Sequence, residues 1–284
     1  MTTVLEVVRS GPLALVEDLG RPGHAAIGVG RSGAADRSAL RLANRLLGNG
    51  EELAAIEVTL GGLALAVRGG DAWVAVTGAP VPLTVGRRAA APYAPVRVRS
   101  GETVRLGTPT SGLRSYVGVR GGVDVPPVLG SRSRDVLAGI GPEPLAPGTV
   151  LPVGPPPQAY PRVDAVPQRA YEEIVLRVVR GPRDEMVRDP DALVAAAWTV
   201  SPAADRVGMR LDGRALTLRD PHTAMPSEGA YRGAVQVPPS GQPVVFLADH
   251  PVTGGYPVVA VVTDADVDRA AQARPGQRVT LRWA

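Results

Sequence analysis

The chain has 284 residues, 44% of them hydrophobic and 20% charged, with a formal net charge of +4, no cysteine and 31 basic residues that are all arginine. That composition excludes a disulfide framework and thiolate chemistry. The absence of lysine excludes a Walker A phosphate loop, Schiff-base catalysis, a lysine-dependent serine amidase and covalent attachment of biotin to this chain. No apolar run approaches the ~18 residues a membrane-spanning helix needs. The dispersed positive charge forms no basic stripe for nucleic acid. The opening MTTVLEVVRSG has no basic region followed by a long apolar one, so no signal peptide is expected and a cytoplasmic location is. With 34 glycines and 29 prolines the chain is rich in turns, which points to a mainly β protein.

Along the chain, Gly28-Val29-Gly30-Arg31-Ser32-Gly33 has the spacing of a dinucleotide fingerprint but lacks a strand directly before it. The weaker expectation is an anion held at the helix N-terminus that follows. Asp36 or Ser32 is expected to cap that helix, whose apolar positions Ala39, Leu40, Ala43, Leu46 and Leu47 share one face, and Gly48 and Asn49 stop it. Short strands are predicted at 55–58, 63–67, 73–77, 96–98 and 103–106, punctuated by Gly69-Gly70, Gly86 and Gly101. Frequent short strands with turn signals read as a barrel. The Pro-rich stretch from Pro152 to Pro167 is the linker candidate. Residues 233–257, GAVQVPPSGQPVVFLADHPVTGGYP, read as strand, tight turn, strand and Gly-rich loop.

The two halves resemble each other. Ser32 to Leu47, SGAADRSALRLANRLL, lies over Ser201 to Leu216, SPAADRVGMRLDGRAL, with nine of sixteen positions identical. LEVVRSGP from Leu5 pairs with LRVVRGP from Leu176, and RSGETVRL from Arg99 with RPGQRVTL from Arg274. The period is too long for a solenoid and indicates a duplicated domain. The expected domains are therefore 1–155 and 171–284, joined by a linker at 156–170.

Several ordered motifs carry a family resemblance. They are Glu17-Asp18-Leu19-Gly20-Arg21-Pro22-Gly23, Ser32-Gly33-Ala34-Ala35-Asp36 with the Leu40–Asn44 run, and Gly130-Ser131-Arg132-Ser133-Arg134-Asp135. Asp205 to Leu211, Ser227-Glu228-Gly229 and the 233–257 block complete the set. Together they resemble the biotin-dependent carboxyltransferase-like family. That family includes the C subunit of bacterial ATP-dependent 5-oxoprolinase, the allophanate hydrolase subunit 2 (KipA-like) proteins and a segment of urea carboxylase. The resemblance implies two cyclophilin-like β-barrels. It implies the C subunit of a 5-oxoprolinase-type complex, which hydrolyses the cyclic amide 5-oxoproline to glutamate with ATP consumed by the complex. The implied partners, forming a heteromer with it, are the B subunit (KipI-like) and the A subunit of that complex. Two alternatives stay open: a carboxyltransferase acting on a urea-like amide, and a non-catalytic regulator that binds the KipI-like protein. The sequence departs from the family pattern at Glu17, at Arg134, at Pro251-Val252, and in 138–145, where the usual Gly-Gly and Gly-Arg are missing.

Charged residues inside apolar or Gly-rich motifs nominate the site. Expected catalytic residues are Asp18, Arg132, Asp135 and Glu228. Expected substrate contacts are Arg21, Ser32, Asp36, Ser131, Arg206, Gln236, Ser240, Asp249, Gly254, Gly255 and Tyr256. For each charged residue the competing reading is a cap, a turn or a bracing ion pair. Arginine suits carboxylate and phosphate because its fork binds both bidentately. The loop and hairpin at 236–257 and the segments around Arg21 and Arg132 are expected to line one cleft. The three histidines, His24, His222 and His250, include no i, i+4 pair, and no metal site is expected.

Overall fold

The computed structural model describes residues 2–160, 163–220 and 225–284. The chain divides into two compact units. The first holds Met1–His24, Ser32–Asp135 and Gly139–Ala170, and the second Ala25–Arg31, Val136–Ala138 and Tyr171–Ala284. The stretch read as a linker is counted with the first unit. Arg120 donates hydrogen bonds to the carbonyls of Pro157 and Ala159 within it, and Val166 N–H bonds to Tyr93 O. His222, Pro161 and Arg162 lie outside the described residues.

The first unit contains β1 (Val4–Ser10), β2 (Leu13–Glu17), α1 (Arg37–Leu46), β3 (Ala55–Thr59), β4 (Leu63–Arg68) and β5 (Ala72–Gly78). It continues with β6 (Leu83–Val85), β7 (Arg88–Ala90), β8 (Val96–Val98), β9 (Thr103–Leu106), β10 (Arg114–Val119) and β11 (Val150–Pro152). These form a six-stranded sheet, β11-β1-β4-β9-β6-β7, and a five-stranded sheet, β2-β3-β10-β5-β8. Every pairing is antiparallel. The inward residues of both sheets meet in one core, including Leu5, Val7, Leu65, Val67, Val16, Ile56, Val74 and Val117. The other face of the five-stranded sheet carries Ala55 and Tyr116 under Ala34, Ala39 and Leu40. Helix α1 lies on that face at close range: a Cβ on Gly118 of β10 would stand 3.1 Å from Leu47 and 3.2 Å from Ala43. The five strands predicted here are all present within a residue or two of the expected bounds.

The second unit contains β12 (Ile174–Arg180), α2 (Ala192–Ala195), β13 (Ala197–Val200), β14 (Gly208–Asp212), β15 (Ala234–Gln236), β16 (Val244–Phe246), β17 (Val258–Val262), α3 (Asp264–Ala270) and β18 (Arg278–Trp283). Its strands close into a barrel in the order β12-β17-β15-β16-β14-β13-β18. Closure comes from the parallel pairing of β12 with β18. The interior is aliphatic apart from Trp198 and Tyr171. Trp198 is fully buried and its indole N–H is satisfied by Leu193 O at 2.8 Å. The fold is thus mainly β with few helices, as expected.

The duplicated segments fit this fold only in part. β1 and β12 are the first strands of their units, and Asp36 and Asp205 each follow their unit's second strand. The matched residues beyond them differ, because 37–46 is helical and 208–212 is a strand. Arg99–Leu106 leads into β9 and Arg274–Leu281 into β18, each through a glycine with positive φ, Gly101 and Gly276.

Candidate functional site

The segments expected to line one cleft belong to both units, Arg21 and Arg132 to the first and residues 236–257 to the second. In the first, β2 runs out at Glu17 and delivers Asp18 to the 131–135 loop. Asp18 is 9% exposed and its carboxylate is enclosed by four neutral donors. Oδ1 accepts from Gly20 N–H at 2.7 Å and from the hydroxyls of Ser131 and Ser133, both at 2.6 Å; Oδ2 accepts from Arg132 N–H at 2.6 Å. Ser133 Oγ in turn accepts from Asp18 N–H, and Ser131 Oγ from Ser133 N–H. Hydrogen bonds to an ionised acceptor are among the stronger ones. Asp18 therefore ties the Ser-Arg-Ser-Arg-Asp loop to the end of β2. Ser32, from the 32–36 segment, donates to Arg134 O at 3.3 Å. Asp135 is buried, and its backbone pairs with Ile140.

Arg132 contributes its backbone, not its side chain, to Asp18. Its guanidinium bonds to Val125 O at 2.7 Å and to the Asp124 carboxylate at 2.6 Å. Arg21 is the contrasting arginine. It is 1% exposed, its Nη2 donates to Ser133 O, and its Nε and Nη1 have no partner. A buried guanidinium with two unused donors is suited to an anion.

Asp36 is placed by local chemistry. It N-caps α1, accepting from Ala39 N–H at 2.9 Å and from Ser38 Oγ at 2.7 Å. The anion expected at this helix N-terminus is thus the protein's own carboxylate. β2 ends at Glu17, so no strand leads directly into Gly28–Gly33 as a dinucleotide fold requires.

Sequence reasoning passed over the polar group beneath α1. Tyr116 Oη donates to Glu57 Oε2 at 2.7 Å and accepts from Asp36 N–H, while Ala35 N–H reaches the same Glu57 oxygen at 2.9 Å. Arg114 Nε lies 3.4 Å from Glu57 Oε1. Burial, followed by the nearby Glu57 and Asp36 charges, pushes the Tyr116 hydroxyl well above the ordinary tyrosine value. Tyr116 is therefore a neutral donor that locks the cap to the sheet. Glu57 in the otherwise apolar AIEVT of β3 was the available signal.

In the second unit Arg206 and Asp249 form a buried pair, 2% and 0% exposed at their side chains. Arg206 Nε stands 2.9 Å from Oδ2, and its Nη2 3.3 Å from Oδ1. Val136 N–H bonds to Asp249 Oδ2 and Asp249 N–H to Arg206 O. Glu228 is half-buried. Its N–H bonds to Thr253 Oγ1, its carbonyl accepts from Thr253 N–H, and its carboxylate is held by Arg183, whose guanidinium charge this contact stabilises. Arg183 is a further residue missed from sequence. Phe246 and His250 stack with centroids 5.4 Å apart. Gly255 takes φ +76, and a Cβ there would meet Met225 O at 2.7 Å, so this loop position requires glycine. Gly254 and Tyr256 are exposed, and Ser240 sits in the exposed turn closed by Gly241 N–H to Pro238 O.

Gln236 differs from these neighbours. Val235 and Val237, on either side of it, belong to the barrel interior. Gln236 is 6% exposed, and its Oε1 is buried without a partner. Among the described residues no group of three or more His, Cys, Asp or Glu is placed to hold a metal. No helix among them is long and apolar enough to cross a membrane.

The family model described as carboxyltransferase domain, subdomain A and B, matches residues 27–283. The 5-oxoprolinase C subunit of Escherichia coli is 36% identical over 281 residues, which is 97% of this chain and 90% of that protein. The 5-oxoprolinase C subunit of Haemophilus influenzae is also 36% identical, over 94% of this chain and 86% of its own length. The urea amidolyase of Saccharomyces cerevisiae is 30% identical over 98% of this chain but only 16% of that protein. Among solved structures, TTHA0988 superposes with a TM-score of 0.88 at 35% identity, covering 99% of this chain and 56% of that one. The urea amidolyase of K. lactis superposes with a TM-score of 0.90 at 28% identity, over 99% of this chain and 18% of that one. This chain therefore spans about half of TTHA0988 and a small part of the urea amidolyases.

Proposed function

Since the chain belongs to the family of carboxyltransferase domains, subdomains A and B, we propose that it acts as the C subunit of an ATP-dependent 5-oxoprolinase-type complex. The observation that carries this reading is the 36% identity to two 5-oxoprolinase C subunits over 90% and 86% of their own lengths. The reaction opens the lactam of 5-oxoproline by hydrolysis to glutamate. The lactam is a resonance-stabilised amide, so phosphorylation of its carbonyl oxygen by ATP, with release of ADP, makes the carbonyl carbon open to water. The ring nitrogen then leaves as the amine, and hydrolysis of the resulting acyl phosphate gives glutamate and phosphate. ATP is assigned to the complex as a whole. Within this chain, loop N–H groups at Gly254 and Gly255 are candidates for a developing oxyanion. Glu228, oriented by Arg183 and Thr253, is a candidate for moving a proton. The partners are the A and B subunits of the complex, and co-expression with the B subunit is expected to give one complex on size-exclusion chromatography.

The decisive experiment mixes purified A and B subunits with 5-oxoproline and ATP, with and without this chain. Glutamate release that depends on the chain is the expected result. Release without it, or none with it, overturns the reading. The likeness to urea amidolyase, at a TM-score of 0.90, favours carboxyl transfer to a urea-like amide as the second reading. That reading requires carboxybiotin carried by another protein, because this chain has no lysine to bear it. Carboxylation of urea by a mixture of this chain with carboxybiotin would select it.

A further inference from the structure

The carboxamide oxygen of Gln236 is buried without a hydrogen-bond partner among the described residues, and the surrounding chemistry indicates what the group would hold. Gln236 sits on β15 opposite Val244 of β16 and Val258 of β17. Both valines belong to an apolar cluster with Ala234 and Phe246, separate from the barrel interior. His250 stacks on Phe246. The Gly254-Gly255-Tyr256-Pro257 loop returns beside this strand, where Val237 N–H bonds to Pro257 O. The carboxamide thus belongs to the strand position that faces Val244 and Val258, beside this apolar cluster.

A primary carboxamide presents a C=O acceptor and an N–H donor side by side, and turning it over exchanges their places without removing either. Its complement is an amide edge with N–H and C=O on the same side. A five-membered ring enforces that cis geometry, whereas an ordinary peptide bond is trans. Two antiparallel hydrogen bonds then satisfy both groups, and the ring methylenes meet Val244, Val258 and Phe246. We propose that Gln236 is a specificity residue that recognises the cis-amide edge of a five-membered ring, as found in a γ-lactam or a cyclic ureido group. The proposal rests on the reading that the substrate is a cyclic amide and names the residue that would grip its amide edge.

The test measures binding of 2-pyrrolidinone, N-methyl-2-pyrrolidinone and 2-imidazolidinone to the full chain by ligand-observed NMR. Wild type is expected to lose affinity on N-methylation by about tenfold, the loss of one neutral hydrogen bond. Gln236→Leu is expected to bind both pyrrolidinones alike. It is also expected to melt at a higher temperature than wild type, because a buried amide with an unpaired oxygen has been replaced by a hydrocarbon. Gln236→Glu, which keeps an acceptor and loses the paired donor, is expected to retain N–H discrimination with weaker binding. Equal discrimination in wild type and Gln236→Leu overturns the proposal, as does no binding to wild type. A folded Gln236→Leu with a lowered melting temperature also overturns it. Preference for 2-pyrrolidinone assigns the site to a lactam and preference for 2-imidazolidinone to a ureido ring. The latter would retain the cis-amide site while counting against 5-oxoproline. Failure of glutamate release with intact N–H discrimination would instead defeat the 5-oxoprolinase reading alone.

Discussion

Ser32–Leu47 and Ser201–Leu216 share nine of sixteen residues, yet one passes into a helix and the other into a strand. Both begin alike. Asp36 Oδ1 accepts the N–H three residues on, from Ala39, and Asp205 Oδ1 does the same from Gly208 at 3.0 Å. Both are followed by a buried arginine, Arg37 or Arg206. The divergence lies in what stands after the cap. The first segment has Ala39, Ala43 and Asn44 where the second has Gly208, Asp212 and Gly213. Alanine is the best helix former and glycine among the poorest, and the second segment alternates buried and exposed from Met209 to Asp212. A shared Asp-Arg corner can therefore start either element, and the few residues beyond it decide.

The sharpest break in the comparison is at the arginine. Arg206→Ala removes the charge opposite buried Asp249 and is expected to lower stability by about 3–5 kcal/mol in urea unfolding. Replacing both partners, Arg206→Met with Asp249→Leu, is expected to recover most of that loss. A single variant that unfolds at the wild-type midpoint would show that the pair is not what holds this corner.

The next effect is at the divergent position itself. Ala39→Gly removes a buried methyl and weakens α1, for an expected loss of about 1.5–2 kcal/mol. In the second unit Gly208→Ala places a Cβ 2.7 Å from Val244 Cγ1, and overpacking of that kind costs about 1–3 kcal/mol. If both swaps prove neutral, composition after the cap is not what separates the two segments.

The cap carboxylates are expected to matter less and unequally. Asp36→Ala removes a buried cap bonded to Ala39 N–H and Ser38 and should cost about 1–2 kcal/mol. Asp205 is exposed, and Asp205→Ala should cost about 0.5 kcal/mol. Equal losses by thermal denaturation would contradict the difference in burial.

Much of this was legible beforehand because it is local. The helix announced itself through Asp36 and the spacing of Ala39, Leu40, Ala43 and Leu46. Five of the eleven strands of the first unit showed through short apolar runs between glycines. Asp18, Ser131, Arg132 and Ser133 were singled out as motif residues, and they do meet. Their arrangement was not legible, because it depends on which strand ends face the 131–135 loop. Sequence cannot show that Arg132 turns its guanidinium to Asp124 while its N–H serves Asp18. Nor can it show that Arg21 keeps two nitrogens unpaired. Glu57 and Arg183 were missed for the same reason: their partners, Tyr116 and Glu228, lie 59 and 45 residues away.

The smallest effect concerns the first strands, where the match places Glu6 against Arg177. Glu6 makes an exposed pair with Arg68 at 3.1 Å. Arg177 instead bonds to Asp266 of α3 through Nε, Nη2 and its backbone N–H. Burial raises the Asp266 carboxyl, but the Arg177 contacts outweigh it and hold the group below the ordinary 3.8. A carboxyl depressed on folding contributes stability above its unfolded value, and loses that contribution as the pH falls through its folded value. Arg177 is 58% exposed at its side chain, so screening keeps the contribution to about 0.5–1 kcal/mol. Asp266→Asn should therefore be less stable than wild type by that amount near neutrality, with the gap closing below pH 3.8. Glu6→Gln should differ from wild type by less than about 0.5 kcal/mol, since its pair is exposed on both sides. Urea unfolding of the three proteins across the acid range measures both. A gap for Asp266→Asn that persists undiminished into strong acid, or widens there, would mean that the Arg177–Asp266 contact does not tie β12 to α3 through charge.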